Sequence, residues 1–136
     1  MNVEIRPVTS TNAPRPAGAY SQAMVAGGFV FVSGQVPREP STGIVPDGIE
    51  AQTRLVLRNL NALLEAAGAS LKDVVRVTAH LADLTMFDEF DRTYSEFFVQ
   101  PFPTRTTVGS QLRGVLVEVD AIAVLTDTHA SEAPLA

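Results

Sequence analysis

The order of patterns along this chain predicts an α+β fold: a single mixed six-stranded sheet with two helices packed on one face. Three observations predict it. Residues 49–67 carry an apolar stripe at helical spacing. Short alternating or continuously apolar runs fall three before that helix, one after it and two after a second helical stretch. The chain has 136 residues, 46% hydrophobic and 18% charged, which suits one domain with a true core. No repeat or composition shift divides it, so residues 1–126 read as one domain and 127–136, polar and Ala-rich, as a flexible tail.

Val3 to Val8 reads as a short first strand, and Ala13 to Gly18 as a Pro/Gly loop. Ser21 to Val25 and Phe29 to Ser33 flank Gly27-Gly28, a dipeptide suited to a tight hairpin turn. Val36 to Gly48, with three prolines and two glycines, reads as a surface loop. Ile49 to Ala67 is the clearest helix, with Ile49, Val56, Leu60, Leu63, Leu64 and Ala67 on one stripe. Asp47 with Glu50 has capping-box spacing, and Gly68 is a natural stop. Val74 to Ala82 alternates as a strand, with Val75, Val77, Ala79 and Leu81 expected on one face.

The second helix spans about Met86 to Phe98, with Phe87, Phe90, Tyr94 and Phe97 on one side and Thr85 and Asp88 as a cap. Pro101 and Pro103 impose an extended approach to Thr104–Val108. Gly109 to Gly114 is a loop, and Val115 to Leu125 is expected to be the longest strand. Phe29–Ser33 and Val115–Leu125 are apolar at nearly every position, so both faces of these strands call for burial. Two helices cover only one face of so wide a sheet. The other face is expected to meet further copies of the chain in a closed ring with clefts between subunits.

Several function classes recede at once. The net charge of -5 disfavours a phosphate backbone, so no nucleic-acid partner is expected. There is no cysteine, and His80 and His129 have no metal-ligand spacing; no metal or other cofactor is expected. The N-terminal residues lack an apolar signal region and no apolar run is long enough for a bilayer, so a cytoplasmic protein without membrane association is expected.

Four places carry candidate chemistry. Arg105 follows Pro-Phe-Pro-Thr on a short strand. Such an arginine is about as often a plain surface residue as a carboxylate clamp, for which its planar paired donors are suited. Glu118 shares a strand face with Leu116, Asp120, Ile122 and Val124. A carboxylate entering so apolar a strand needs a partner or a task, such as polarising a water. Tyr20 follows a Pro/Gly loop; it is either half-buried packing or an orienting hydroxyl. Ser33-Gly34-Gln35 ends an apolar strand, where Gly34 either lets a ligand approach the backbone or simply turns the chain. His80 reads as structural.

Taken in order, these segments resemble the Rid (reactive intermediate deaminase, YjgF-type) family. Gly18-Ala19-Tyr20-Ser21-Gln22 is similar to its Gly-Pro-Tyr-Ser-Gln element, and Phe31-Val32-Ser33-Gly34-Gln35 to its Ser-Gly-Gln element. Arg105-Thr106-Thr107-Val108 is similar to its arginine segment, and Val117 to Ala123 to its terminal strand. Glu65-Ala66-Ala67-Gly68 and Tyr94-Ser95-Glu96-Phe97-Phe98 fit as well, so the likeness covers residues 13–125. The resemblance implies a chorismate-mutase-like homotrimer that hydrolyses 2-aminoacrylate/2-iminopropanoate and 2-iminobutanoate to 2-oxo acid and ammonia without a cofactor. Under it Arg105 binds the substrate carboxylate, Glu118 holds the attacking water and moves protons, and Tyr20 orients water or substrate. Ser33, Gly34 and the backbone of Thr107 line the pocket.

Three positions depart from the family pattern. Ala19 replaces a frequent proline, Thr107 a frequent cysteine, and Asp91 a frequent asparagine, which adds a negative charge near an anionic substrate. The competing expectation is a non-enzymatic trimer that binds small 2-oxo acids and acts in regulation; it needs Arg105 but not Glu118. An RNA-cleaving activity, attached to some relatives, conflicts with the acidic balance.

Overall fold

A computed structural model describes residues 3–126. The tail expected at 127–136, with His129, lies outside the described residues. The strands are β1 (Ile5–Val8), β2 (Ala23–Ala26), β3 (Phe29–Gln35), β4 (Val74–Leu81), β5 (Thr104–Gly109) and β6 (Val117–Val124). The helices are α1 (Ile49–Ala67) and α2 (Phe87–Ser95). All six strands form one sheet in the order β1-β2-β3-β6-β4-β5. Every pairing is antiparallel except β4 with β5, so the sheet is mixed, as expected.

Period-two alternation places Val30 and Val32, Val77, Ala79 and Leu81, and Val117, Val119, Ala121 and Ala123 on the helix side, all buried. Against them α1 buries Val56, Leu57, Leu60, Leu63 and Leu64 completely, and α2 adds Phe90 and Tyr94. Gly27 and Gly28 take φ of 58° and 82°, the positive pair a two-residue hairpin needs between Ala26 and Phe29. Gly68 ends α1 in the left-handed region, its N–H bonding the carbonyls at Glu65 and Leu64.

Several local expectations are corrected. Neither Asp47 nor Glu50 caps α1: the N-cap is Gly48 at φ 86°, without a side-chain bond. Glu50 instead pairs with Arg54 at 3.4 Å, and Gln52 reaches back to bond the Pro46 carbonyl at 2.9 Å. Thr85 and Asp88 do not cap α2. The Asp83 carboxylate accepts from the Thr85 N–H at 2.9 Å and starts a single 3-10 turn, Leu84–Met86, which leads into α2. That helix stops at Ser95, and Phe98 beyond it is buried where Phe97 was expected. A register shift between Val74 and Arg76 turns Val75 outward, so Val74 packs inside in its place. The last strand is not the longest; β6 and β4 both have 8 residues.

The face away from the helices is apolar on one side of the sheet and polar on the other. Phe29 and Phe31 remain 43% and 42% exposed, beside Val124 at 36%. Phe31 pairs with Ile122 and Phe29 with Val124, so these side chains form one contiguous patch. Towards β5 the same face carries Arg76, Thr106, His80 and Asp120.

Candidate functional site

The site is built from the β5 edge inward. Arg105 pairs with Val77 in the parallel β4–β5 ladder and so points to the helix side. There it meets α2, whose Phe87, Phe90, Asp91 and Tyr94 recur at i, i+3, i+4 and i+7 and so share one face. The guanidinium carbon lies 5.5 Å from the Phe87 ring centre, 5.5 Å from Phe90 and 4.6 Å from Tyr94. Aromatic faces attract a cation and displace its hydration. Arg105 Nη1 also forms an ion pair with Asp91 Oδ1 at 2.8 Å. A long, flexible cation is thereby held in one place. Thr107, two residues on, shares the helix-side face of β5 and is half-buried.

The Tyr94 hydroxyl is buried with no hydrogen-bond partner among the described residues. Burial pushes its pKa up to about 12, partly opposed by the Arg105 charge. It is therefore a neutral group at the bottom of the arginine's aromatic lining. Sequence reasoning missed this role for α2, because an aromatic stripe at helical spacing is indistinguishable from core. Of that face the sequence marks only Asp91, set between Phe90 and Tyr94, through its departure from the family pattern.

Glu118 stands on the opposite face. It pairs with His80 in β4, while its neighbours Val117 and Val119 are buried on the helix side. Gly34 makes room for it: a Cβ there would collide with the Glu118 carboxylate and lie 3.0 Å from its carboxyl carbon. A register shift between Val32 and Gln35 accommodates Ser33 and Gly34. The Ser33 hydroxyl donates to the Ser21 carbonyl at 2.5 Å, and its N–H to the Gln22 carbonyl at 3.0 Å, which fixes the loop to the strand. On that loop the Tyr20 hydroxyl accepts from the Ala17 N–H at 2.9 Å, and the ring is 48% exposed. Gly34 thus meets Glu118 directly, and Ser33 ties the Tyr20 loop to the same strand.

Replacing Gly34 by alanine should lower unfolding stability by about 1 kcal/mol, the low end for overpacking because a flexible carboxylate can yield. The loss should vanish in a Glu118→Ala background. Denaturant unfolding of the double-mutant cycle measures it.

Near Glu118, His80 bonds Ser110 Oγ through Nδ1 at 2.8 Å and faces Asp120 Oδ2 at 3.8 Å. Burial raises the Asp120 carboxyl above its usual range, opposed by His80 and then Arg76. His80 is thus engaged in a side-chain network, in line with a structural role. A groove of about 480 Å³ between the loop after β3 and α1, lined by Ile44, Leu55, Arg54 and Arg58 among others, contains none of the candidate residues.

The candidates therefore form two half-sites. Arg105, Asp91 and Thr107 lie on one side of the sheet, Glu118 and its neighbours on the other, with β4 between their strands. Two inter-strand steps span about 9–10 Å before the sheet's own thickness is added. No metal-binding group of side chains occurs among the described residues. No described helix is long and apolar enough to cross a membrane.

The chain is similar to known proteins in sequence and fold. The chain is 48% identical over 119 residues to a RutC family protein of Pyrococcus horikoshii, covering 85% of this chain and 94% of the relative. It is 38% identical over 122 residues to the 2-iminobutanoate/2-iminopropanoate deaminase of Salmonella typhimurium, covering 86% and 95%. Among solved structures, RidA of an Antarctic Psychrobacter superposes with TM-score 0.84 at 33% identity, covering 88% of this chain and 98% of that one. E. coli TdcF with bound serine superposes with TM-score 0.84 at 34% identity, covering 89% and 99%. The family model described as Endoribonuclease L-PSP matches residues 10–125, and with these relatives it establishes that the chain belongs to that family, the YjgF/Rid family.

Proposed function

We propose that this protein hydrolyses small 2-imino acids, such as 2-iminopropanoate and 2-iminobutanoate, to 2-oxo acids and ammonium. The observation that carries the reading is Arg105, a guanidinium fixed on an edge strand by three aromatic rings and a carboxylate. Its remaining donors match a carboxylate's two oxygens. The deaminase name of the Salmonella relative and the serine bound by TdcF, a small α-amino acid, agree with a small carboxylate ligand.

In the proposed reaction R–C(=NH2+)–COO− and H2O give R–CO–COO− and NH4+. Arg105 holds the carboxylate, and fixing the substrate converts a bimolecular attack into a local one. Glu118 accepts a proton from the attacking water as the C–O bond forms. It returns that proton to nitrogen, and as the C–N bond breaks the hydroxyl proton passes to the departing ammonia, which leaves the 2-oxo acid and NH4+. Tyr20 helps to orient water or substrate, and Ser33, Gly34 and the Thr107 backbone line the pocket. Iminium carbon is already electrophilic, so the step needs no cofactor.

The two half-sites of one chain do not meet, yet the carboxylate and the reacting carbon of a 2-imino acid are adjacent atoms. The reading therefore includes a homotrimer in which Arg105 of one copy and Glu118 of the next share a cleft. The exposed Phe29–Phe31–Val124 patch supplies apolar surface for such contacts. Sedimentation at micromolar concentration should give about three times the chain mass; a stable monomer would refute the shared cleft. The activity itself is tested by generating imine in place with a threonine dehydratase and trapping it with semicarbazide. Active protein diverts imine from the trap, measured against a control without protein. The endoribonuclease description of the family model finds no support in a net charge of -5.

A further inference from the structure

We infer that Asp91 makes the Arg105 site selective for ligands carrying a cationic nitrogen beside their carboxylate, the protonated imino acids and α-amino acids, over plain 2-oxo acids. This rests on the reading that Arg105 binds the ligand carboxylate. The ion pair's contact between Nη1 and Oδ1 is 2.8 Å. Phe87, Phe90 and Tyr94 line the guanidinium, and the Arg105 side chain is only 19% exposed. The Asp91 side chain is 48% exposed. Its other oxygen, Oδ2, accepts no hydrogen bond from any described residue.

The site therefore presents a donor fork and an acceptor side by side, with a net charge of zero. A bare anion meets an arginine whose charge is already compensated, and it adds a repulsion from Asp91. A zwitterion satisfies both: its carboxylate takes the free guanidinium donors and its nitrogen takes Asp91. The reacting iminium is such a zwitterion and its 2-oxo acid product is not. Asp91 thus favours substrate over product at the same arginine and assists product release. This role differs from merely positioning Arg105, because asparagine keeps the accepting oxygen while removing the charge.

Titration calorimetry with L-serine, a stable zwitterion, and 2-oxobutanoate, a bare anion, tests the inference on wild type and Asp91→Asn. The substitution should weaken serine and tighten 2-oxobutanoate, each about three- to fivefold for a half-exposed charge, so their affinity ratio moves about tenfold or more. An unchanged ratio, a parallel weakening of both ligands, or wild type that fails to bind serine at millimolar concentration overturns it. If the ratio moves but wild type diverts no imine from semicarbazide, the deaminase reading fails and the selectivity stands. If wild type is active and the ratio does not move, the selectivity alone fails.

Discussion

Glu118→Gln should lower imine hydrolysis by about two or more orders of magnitude, the usual scale for loss of a general base. Glutamine preserves the shape of the side chain for which Gly34 leaves room. It removes the negative charge and the capacity to accept a proton from water. Affinity for 2-oxobutanoate should change far less, since the proposed carboxylate clamp, Arg105 with its ion pair to Asp91, is left intact. Single-turnover trapping with semicarbazide gives the rate, and calorimetry gives the affinity. Rate loss without affinity loss identifies Glu118 as the group acting on water. Equal rates for the variant and wild type would remove Glu118 from the mechanism. If wild type itself matches the control without protein yet binds 2-oxobutanoate, a small-carboxylate binding module replaces the enzyme reading.

Arg105→Ala should weaken carboxylate binding on the order of ten- to hundredfold, equivalent to about 1.5–3 kcal/mol for a hydrogen bond to a charged group. The structure adds a reason for the upper part of that range. Alanine leaves Asp91 with no cation beside it, so the site turns from neutral to anionic and repels the ligand it formerly held. Arg105→Lys should recover only part of the loss, because an ammonium cannot present a planar fork to a ligand while also bonding Asp91. Both variants should sediment as wild type does, since Arg105 is not part of the Phe29–Phe31 patch proposed to join the copies. Unchanged binding of 2-oxobutanoate by Arg105→Ala would end the carboxylate-clamp assignment.

Much of this was legible in the sequence, and the reason is periodicity. The stripe from Ile49 to Ala67 gave α1 its bounds because one apolar face had to be buried, and Gly68 stopped it because a left-handed residue was needed there. Alternation in β6 set Glu118 opposite the buried Val117 and Val119, and Gly27-Gly28 set the hairpin. Ordered short segments around Tyr20, Ser33-Gly34, Arg105 and Glu118 sufficed to indicate the family.

Local caps and register were not legible. Asp47, Glu50, Thr85 and Asp88 had the right spacing, but a Gly48 turn and the Asp83 carboxylate served the helix ends instead. A single irregularity near Val74 reversed which valine packs inside, because a one-residue slip exchanges the faces of a strand.

The sequence by itself determined which elements form and, apart from the register shift near Val74, which face of each is buried, since these follow from the spacing of apolar side chains along a chain. Only the tertiary structure decided what surrounds Arg105. The ion pair with Asp91 and the rings of Phe87, Phe90 and Tyr94 join α2 to β5, and Gly34 meets Glu118 across β3 and β6. Contacts of that kind depend on strand order, with β4 inserted between β5 and β6, and strand order is set by long-range packing that no local pattern encodes.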